Sequence, residues 1–388
     1  MAETITALSS DRDSRKAGLD LGRRIREAFA GAPADAVVVF ASARHDYDAL
    51  LDALAKEAGT NVIVGSSSAG EFTSTGRGER QVSALGLRSK QMKFSVARGR
   101  DISRDPNAAA RELASGLLGA NQHAMPFRSA LVMTDALAGH TDAIIEELTL
   151  ATGGSYRFFG GGAGDDARFQ KTHVFAGTEP ITDAIVALEI LSMKPVGIGV
   201  SHGWEPDSPP LRVTEADGNR LTSLNGEPAV RAFEDHAART GQRLDPAGPL
   251  PFFLHNILGI ETGGQHRLRV PLGIGDDGSV TMAAAVSTGS IVRVMKTSEA
   301  SAVKAAQRAT QTAIDALGGE RPAAALIFDC VATRLRLGRG FENELQACTD
   351  LLQPAAFVGC NTYGQIARAD GQFGGFHNCT AVVCVLPS

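Results

Sequence analysis

Small polar residues recur in three glycine-containing loops of this 388-residue chain, each directly after a short apolar run. The apolar runs are residues 62–64, 158–159 and 357–358. A strand that ends in glycines lets a ligand or another chain segment approach its backbone closely. In open α/β sheets, ligands bind in such loops at the carboxyl ends of strands. The candidate ligand-binding residues, taken loop by loop, are Ser66, Ser67, Ser68, Gly70 and Glu71; Gly162, Gly164 and Asp165; and Cys360, Asn361, Thr362, Tyr363, Gly364 and Gln365.

The side chains in these loops can play several roles toward a small polar ligand. Serine hydroxyls donate hydrogen bonds, while Glu71, Asp165, Asn361 and Tyr363 can orient a bound molecule. Tight turns that serve only packing would also use these residue types. A single loop would favour that interpretation, but three copies of the pattern favour a pocket.

A catalytic use of the same loops is the weaker alternative. A loop serine or Cys360 would be the nucleophile of a hydrolase, but no general base can be identified from the sequence. The serines of residues 65–70 also lack the G-x-S-x-G spacing of a nucleophile elbow.

Arginines and histidines offer further candidates. Arg267 and Arg269 alternate on a predicted strand, so both point to one side and could bind a ligand carboxylate. An exposed strand face explains them equally well. The nine histidines are scattered and form no H-E-x-x-H motif, although one histidine suffices to ligate haem.

Composition excludes several classes of protein. The net charge is −5 and no dense basic block occurs, so nucleic acid and anionic membranes are not expected partners. The five cysteines form no C-x-x-C pair, which argues against a disulfide framework and a structural zinc site. No apolar run is long enough for a membrane span, and the first residues lack a secretion signal, which predicts a cytoplasmic protein.

The order of predicted elements indicates an α/β protein. A strand at 36–41, a helix at 46–58 and a strand at 61–64 form a β-α-β unit, preceded by an amphipathic helix at about 14–29. The order strand, strand, helix, strand, helix, strand, glycine loop occurs in both 81–165 and 279–365. This repetition predicts two related, pseudo-duplicated lobes with mixed sheets flanked by helices and glycine-rich loops at strand ends.

Five segments carry a resemblance to a known family. They are 40–46 (FASARHD), 62–72 (VIVGSSSAGEF), 217–229 (DGNRLTSLNGEPA), 359–366 (GCNTYGQI) and 376–380 (FHNCT). In their order along the chain, they resemble the FIST family of bacterial sensory proteins, in which a FIST N domain precedes a FIST C domain. The resemblance implies an N-terminal helix or extension at 1–35, a FIST N-like domain at 36–225 and a FIST C-like domain at 226–388. Gln365 stands where the family's third loop usually has an acid.

The resemblance also implies a function. FIST proteins are associated with signal transduction and with binding of small ligands, amino acids being a suggested class. Some members resemble nitric-oxide-sensing haemoproteins that act with a separate histidine kinase. Haem is therefore a possible cofactor, with His45 or His377 as its ligand because both lie beside predicted strand ends. The sequence itself assures no cofactor, and only 5% of its residues are aromatic, which leaves few rings to pack on a porphyrin.

Overall fold

The structure of the chain is a computed structural model, which describes residues 2–119, 124–368 and 375–388. The helices in these ranges are α1 Ser14–Ala28, α2 Tyr47–Ala58, α3 Pro106–Ser115, α4 Thr141–Ala151, α5 Ala229–Thr240, α6 Leu250–Phe253, α7 Glu299–Asp315, α8 Val331–Leu337 and α9 Phe341–Leu352. The strands are β1 Ala2–Ser9, β2 Ala36–Ser42, β3 Ile63–Ser68, β4 Glu71–Thr73, β5 Gly76–Gly78, β6 Val82–Ser89, β7 Met92–Arg100, β8 Phe127–Thr134, β9 Arg157–Gly162, β10 Val174–Ala176, β11 Glu179–Ile181, β12 Ala184–Ser192, β13 Gly197–Ser201, β14 Glu205–Pro206, β15 Leu211–Asp217, β16 Arg220–Leu224, β17 Glu227–Pro228, β18 Ile257–Thr262, β19 Gln265–Arg269, β20 Pro271–Ile274, β21 Val280–Met282, β22 Ile291–Lys296, β23 Pro322–Cys330, β24 Ala356–Thr362, β25 Gln365–Arg368, β26 Phe376–His377 and β27 Ala381–Pro387.

Three six-stranded sheets share one strand arrangement. Sheet 1 has the order β11-β10-β3-β2-β6-β1, sheet 2 has β26-β25-β9-β8-β12-β7, and sheet 3 has β5-β4-β24-β23-β27-β13. In each sheet the two central strands are parallel, and all other pairings are antiparallel. Each parallel pair is joined through helix, as a parallel connection requires. The predicted α/β class with mixed sheets flanked by helices is therefore confirmed, and the β-α-β unit at the start of the chain adds a third copy of the repeated arrangement.

The sheets exchange hairpins in a cycle. Hairpin β4–β5 follows β3 in the chain but pairs with β24 of sheet 3. Hairpin β10–β11 follows β9 but pairs with β3 of sheet 1, and hairpin β25–β26 follows β24 but pairs with β9 of sheet 2. We call the connecting segments crossover 1 (69–70), crossover 2 (163–173) and crossover 3 (363–364). Each crossover carries the chain from the end of one parallel pair into the next sheet.

The inner faces of the three sheets enclose one core. Phe40 of sheet 1 and Phe159 of sheet 2 both contact Phe328 of sheet 3, with ring centroids 5.7 and 6.4 Å apart. The outer faces bury the apolar sides of helices: α1 and α2 on sheet 1, α3 and α4 on sheet 2, and α7 and α9 on sheet 3. The central strands thus have both faces covered, which explains their nearly continuous apolar sequences.

Three equivalent glycines let the central strands approach each other. Gly65, Gly160 and Gly359 lie opposite Val39, Val132 and Ile327 in the three parallel pairs. A Cβ atom at these glycines would lie only 1.7, 2.0 and 2.2 Å from the carbonyl oxygen of the opposite residue. Close packing therefore explains the first glycine of each predicted loop.

The N-terminal residues form a strand in addition to the predicted amphipathic helix. Ala2–Ser9 forms β1, an edge strand that pairs along its whole length with β6. Its eight-residue sequence is too short to predict a strand with certainty, and pairing with β6 holds it in extended form.

A nine-stranded sheet is inserted between β13 and α7. Its order is β19-β18-β22-β15-β16-β21-β20, with β14 paired to β22 and β17 paired to β16. It has a separate apolar core that includes Phe233 of α5 and Phe253 of α6. Among the residues that the structure describes, none of the helices is long and apolar enough to cross a membrane.

Candidate functional site

The three crossovers meet where the parallel pairs end. In each case a carbonyl of the crossover accepts a hydrogen bond from the second-last or last residue of a neighbouring strand. The bonds run from Asn361 N–H to Gly70 O, from Ser67 N–H to His173 O and from Gly162 N–H to Gly364 O, each 2.9 Å long. Two further bonds, from Gly164 N–H to Ser67 O and from Tyr363 N–H to Gly162 O, are both 3.0 Å long. The structure thus brings the three predicted loops together.

Asp165 in crossover 2 has all its hydrogen-bonding capacity used by the protein. Its carboxylate accepts bonds from the backbone N–H groups of Phe169, Gln170 and Lys171, 2.8, 2.6 and 3.0 Å long, and from the Tyr363 hydroxyl. Burial raises the pKa of this carboxyl, but the hydroxyl and the three N–H donors outweigh burial and hold the pKa below its usual value. Tyr363 in turn stacks on Phe169 at 4.4 Å. Asp165 therefore orders its own loop.

The three loop serines have different environments. Ser67 Oγ accepts from His173 N–H at 2.9 Å and donates to His173 O at 3.3 Å. Ser68 Oγ donates to the Glu71 carboxyl, whereas Ser66 Oγ is buried without a partner. Cys360 is fully buried, and burial raises the pKa of its thiol well above the usual value. Among the described residues, the one side-chain acid or base hydrogen-bonded to these groups is the buried Glu71 carboxyl at Ser68.

Glu71 has a buried carboxyl beside the cavity described below. It accepts bonds from Ser68 Oγ and, at 3.0 Å, from Gln81 N–H. Burial raises its pKa to about 8 against the effect of these two donors, so the group is mostly protonated at pH 7. An equivalent pair flanks crossover 3, where Thr362 Oγ1 and the Gln365 side chain share a hydrogen bond of 2.9 Å. The Gln365 amide at the start of β25 thus stands in for the neutral Glu71 carboxyl at the start of β4.

A cavity of about 410 Å³ opens where crossover 1 meets sheet 3. We call it the corner cavity, and it lies between hairpin β4–β5, α8 and the end of β24. Its lining residues are Glu71, Phe72, Arg77, Gly78, Glu79, Arg334, Leu335, Gly338, Arg339, Phe341 and Asn361. Glu71 and Asn361 were predicted from the sequence. The three arginines were not, because no motif marks them: Arg77 lies in hairpin β4–β5, Arg334 in α8 and Arg339 in the short turn after it.

Two hydrogen-bond donors at the corner cavity have no partner among the residues that the structure describes. Asn361 Nδ2 and Arg334 Nε are both buried and unpaired, and the Asn361 side chain is only 1% exposed. Both side chains lie beside Gly70 on the side where a Cβ atom would project: such an atom would lie 2.8 Å from Asn361 Oδ1 and 3.5 Å from Arg334 Nε, and the φ of Gly70 is +143°. An unpaired buried donor costs roughly 1–3 kcal/mol. An acceptor group of a ligand would remove that cost.

Arg77 and Arg334 each make an ion pair at the rim of the cavity. Arg77 Nη2 lies 2.6 Å from Glu342 Oε1, and Arg334 Nη1 pairs with Glu79. The Arg334 side chain is 14% exposed, whereas Glu79 is 75% exposed. The positive groups are therefore held at the cavity while their acidic partners lie largely in solvent, which favours an anionic or zwitterionic ligand.

The strand arginines predicted to bind a carboxylate contact the protein itself. Arg269 is 1% exposed and donates to Asp142 Oδ2, Leu268 O and Ala285 O at 2.9, 2.9 and 3.0 Å. Arg267 Nη1 lies 3.9 Å from Asp142 Oδ1. Both guanidinium groups thus attach the nine-stranded sheet to the start of α4.

The two histidines considered as haem ligands lie apart from the corner cavity. His45 Nδ1 is 3.2 Å from Ser14 Oγ, its Nε2 is buried without a partner, and burial lowers its pKa to about 4. Burial also lowers the pKa of His377 to about 4, and its Nε2 lies 3.2 Å from Ala367 O.

His377 lines a separate cavity of about 500 Å³, together with Val200, Ser201, His202, Thr262, Gly263, Gly264, Gln265, His266, Arg267 and Thr380. Val200 is the one aliphatic side chain in this lining. A porphyrin requires apolar surface on both faces, so these residues do not fit haem.

Comparison with known proteins identifies the family. The FIST N domain model matches residues 35–227 and the FIST C domain model matches residues 232–368. An uncharacterised protein of Mycobacterium tuberculosis strain CDC 1551 is 25% identical over 256 residues, which are 65% of this chain and 66% of that protein. An uncharacterised Mycobacterium bovis protein is 24% identical over 240 residues, which are 57% of this chain and 58% of that protein. The chain thus matches somewhat less than two thirds of the length of these relatives.

Among solved structures, a cyanuric acid hydrolase from A. caulinodans aligns over 100% of both chains with 9% identity and a TM-score of 0.35, a similarity too low to indicate a shared function. FIST domains imply a sensory role in signal transduction. Because the two models together cover most of its length, the chain belongs to the FIST family, with a FIST N domain followed by a FIST C domain.

Proposed function

We propose that this protein is a cytoplasmic sensor that binds a small carboxylate-bearing ligand, with amino acids as leading candidates, in the corner cavity. The observation that carries the proposal is the pair of unpartnered buried donors, Asn361 Nδ2 and Arg334 Nε. Their side chains lie beside Gly70 and line a cavity of about 410 Å³, a volume suited to a small molecule. FIST domains supply the sensory context.

The lining suggests how the ligand is oriented. A ligand carboxylate would accept bonds from Asn361 Nδ2 and Arg334 Nε, and Arg77 and Arg339 would add positive charge. The ammonium group of an amino acid would face Glu79 or the Glu71 carboxyl. The other predicted loop residues, such as Ser68 and Gly164, would support this arrangement by holding the crossovers together.

Binding would be transmitted to a separate signalling protein, such as a histidine kinase. Hairpin β4–β5 belongs to the first part of the chain but pairs in sheet 3, so the corner cavity joins segments of both FIST domains. A ligand there would change the contact between the two domains.

A thermal-shift screen of amino acids and small carboxylates tests the proposal. A ligand at one hundred times its Kd should add about 2.7 kcal/mol to the stability of the folded state. We expect Asn361→Ala and Arg334→Gln to lose most of this stabilisation, and Gly70→Val to lose it because the new side chain would enter the cavity. Arg98→Gln is the matched control for Arg334, since Arg98 also pairs with one exposed glutamate, Glu179, but on the outside of sheet 2. A ligand that stabilised wild type, Asn361→Ala and Gly70→Val equally would show that its site lies elsewhere.

A further inference from the structure

Two cysteines outside the corner cavity lie together at the end of sheet 3. Cys330 is the last residue of β23, and Cys379 lies two residues before β27. These strands are antiparallel neighbours in which Phe328 pairs with Val382, so the register brings the two cysteines to the same end of the sheet. Both are free thiols, 4% and 5% exposed, and they share an apolar cluster with Trp204.

The two thiols differ in acidity because they contact each other. Cys330 and Cys379 belong to the same buried cluster, and the neighbouring Cys379 thiol, as a donor, outweighs burial and lowers the pKa of Cys330 to about 6. The neighbouring Cys330 sulfur, together with burial, raises the pKa of Cys379 well above its usual value. The opposite directions of the two pKa shifts favour a thiolate on Cys330 beside a protonated Cys379, which is the arrangement of reactive dithiols.

The other three cysteines provide the contrast. Cys348, Cys360 and Cys384 are also buried, and burial raises the pKa of each thiol. Burial alone therefore does not account for Cys330. The distinguishing feature is the adjacent thiol donor.

A positive charge lies close to the pair. The Arg336 guanidinium is 5.5 Å from the centroid of the Trp204 ring, and its charge favours the ionised form of Cys379. Arg336 Nε is buried without a hydrogen-bond partner. A guanidinium in this place stabilises thiolate on the pair, and Trp204, the single tryptophan of the chain, reports on its environment.

We propose that Cys330 and Cys379 form a redox-active dithiol that closes to an intrachain disulfide when a peroxide oxidises it. The Cys330 thiolate attacks one oxygen of hydrogen peroxide, the O–O bond breaks, and the hydroxide released takes up a proton as water, leaving a sulfenic acid on Cys330. The Cys379 sulfur then attacks the Cys330 sulfur, the S–O bond breaks, and the hydroxyl leaves as water with the Cys379 proton. Overall, two thiols and one peroxide give one disulfide and two waters.

The disulfide would act on the element that carries the corner cavity. Helix α8 begins directly after Cys330 and contains Arg334. Joining Cys330 to the segment before β27 would fix the start of this helix. The dithiol itself does not depend on the proposed ligand and is tested without it.

Peroxide treatment of the folded full chain provides the test. After alkylation of remaining thiols and digestion without reductant, mass spectrometry should find a Cys330–Cys379 peptide pair that dithiothreitol separates. The fluorescence of Trp204 should change in parallel and recover on reduction. Cys330, and Cys379 through disulfide formation with it, should be consumed at least about tenfold faster than Cys348 and Cys384, because only a thiolate such as that of Cys330 reacts rapidly with peroxide.

Variants separate the dithiol from general oxidation. Cys379→Ser should abolish both the peptide pair and the fluorescence change, whereas Cys348→Ser should leave both unchanged. If Cys330→Ser does not fold, the peptide mapping of wild type still decides. Oxidation of Cys330 to sulfinic acid without pairing, formation of the pair only after unfolding, or a fluorescence change that persists in Cys379→Ser would each overturn the proposal.

Discussion

The three sheets have equivalent positions near the ends of β3, β9 and β24, but the side chains at these positions differ. Ser67, Gly162 and Asn361 each donate their backbone N–H to a crossover carbonyl at 2.9 Å, so the backbone around them is equivalent. The Ser67 hydroxyl is paired with His173, and Gly162 has no side chain. Asn361 alone of the three presents a buried amide nitrogen without a partner. The backbone arrangement is therefore common to the three sheets, whereas a side chain able to bind a ligand at this position occurs only at Asn361.

The space beside this position also differs between sheets 1 and 3, because the connection after the first parallel strand differs in length. In sheet 1, α2 begins only a few residues after β2, and Tyr47 fills the corner by packing on Phe175 and His173 at 4.9 and 5.0 Å. In sheet 3, α8 and a short 3-10 turn at Gly338–Gly340 intervene between β23 and α9. These extra residues supply Arg334, Leu335 and Arg339 as the wall of a cavity. A longer connection after the strand therefore converts a filled corner into an open one.

Alanine at a central glycine should have the largest effect and tests whether the three sheets are equivalent. The Cβ atoms of Gly65→Ala, Gly160→Ala and Gly359→Ala would each meet a carbonyl oxygen of the opposite strand at 2.2 Å or less. We expect each change to lower the free energy of unfolding by about 3–5 kcal/mol. Urea denaturation measures this, and Gly248→Ala, where no atom lies within 4 Å, should stay within about 0.5 kcal/mol of wild type. A mild effect at only one of the three glycines would show that its sheet is not equivalent in packing.

The contrast between Asp165 and Asn361 predicts the next largest effect. Asp165→Ala removes the acceptor of three backbone N–H groups and should cost about 3 kcal/mol of stability. Asn361→Ala removes an amide nitrogen with no partner and should cost about 1 kcal/mol or less, while abolishing ligand binding. Equal losses of stability, measured by urea denaturation, would contradict a structural role for Asp165 and a ligand-binding role for Asn361.

The sequence predicted the loops well but could not assign their separate roles. By residue type alone, Asp165 corresponds to Glu71, because each acid directly follows a loop glycine. Strand register places Val174 there instead, because Val174 pairs with Ser66 as Glu71 pairs with Cys360. Crossover 2 is longer, and Asp165 is used to order the added residues. A loop pattern cannot reveal which neighbouring strand its residues will pair with.

The exchange of hairpins and the cavity arginines also lacked a local signal. Strand β4 has only three residues, and its sequence would equally allow the hairpin to pair within sheet 1, beside the β-α-β unit that precedes it. Arg334 lies on α8, a seven-residue helix too short to be stable without tertiary contacts. The apolar runs, helical periodicity and glycines, in contrast, depend on residues close together in the chain. The α/β class could therefore be predicted from the sequence.

The buried carboxyl of Glu71 predicts a pH dependence specific to crossover 1. Its ordinary pKa is 4.5, and burial in the folded protein raises this to about 8. Below about pH 4.5 both states hold the proton and the stability is at its full value. As the pH rises toward 8, only the unfolded chain releases the proton, so stability falls by up to about 1.4 kcal/mol per pH unit. Glu71→Gln, which stays neutral, should show a smaller decline between pH 5 and 8.

Urea midpoints of wild type and Glu71→Gln across this pH range measure the effect. Other groups, such as Glu344 with a pKa raised to about 7 by burial, titrate in both proteins and cancel in the difference. The control is Glu342→Gln, because the Glu342 side chain is 65% exposed and its variant should follow the wild-type profile. Parallel profiles for wild type and Glu71→Gln would show that Glu71 is ionised in the folded protein.

Alanine at the neighbouring serines of β3 should have the smallest effect on stability, and the direction of the change distinguishes the two residues. Ser66 Oγ is buried without a partner, so Ser66→Ala removes an unsatisfied hydroxyl and should leave stability unchanged or raise it by up to about 1 kcal/mol. Ser67→Ala breaks the hydrogen bonds with His173 and should lower stability by about 1 kcal/mol. Both changes delete one oxygen from adjacent, fully buried residues, so burial is matched. A loss at Ser66 as large as that at Ser67 would show that the Ser66 hydroxyl has a partner, either a bound water or a ligand whose site would then extend from sheet 3 into sheet 1.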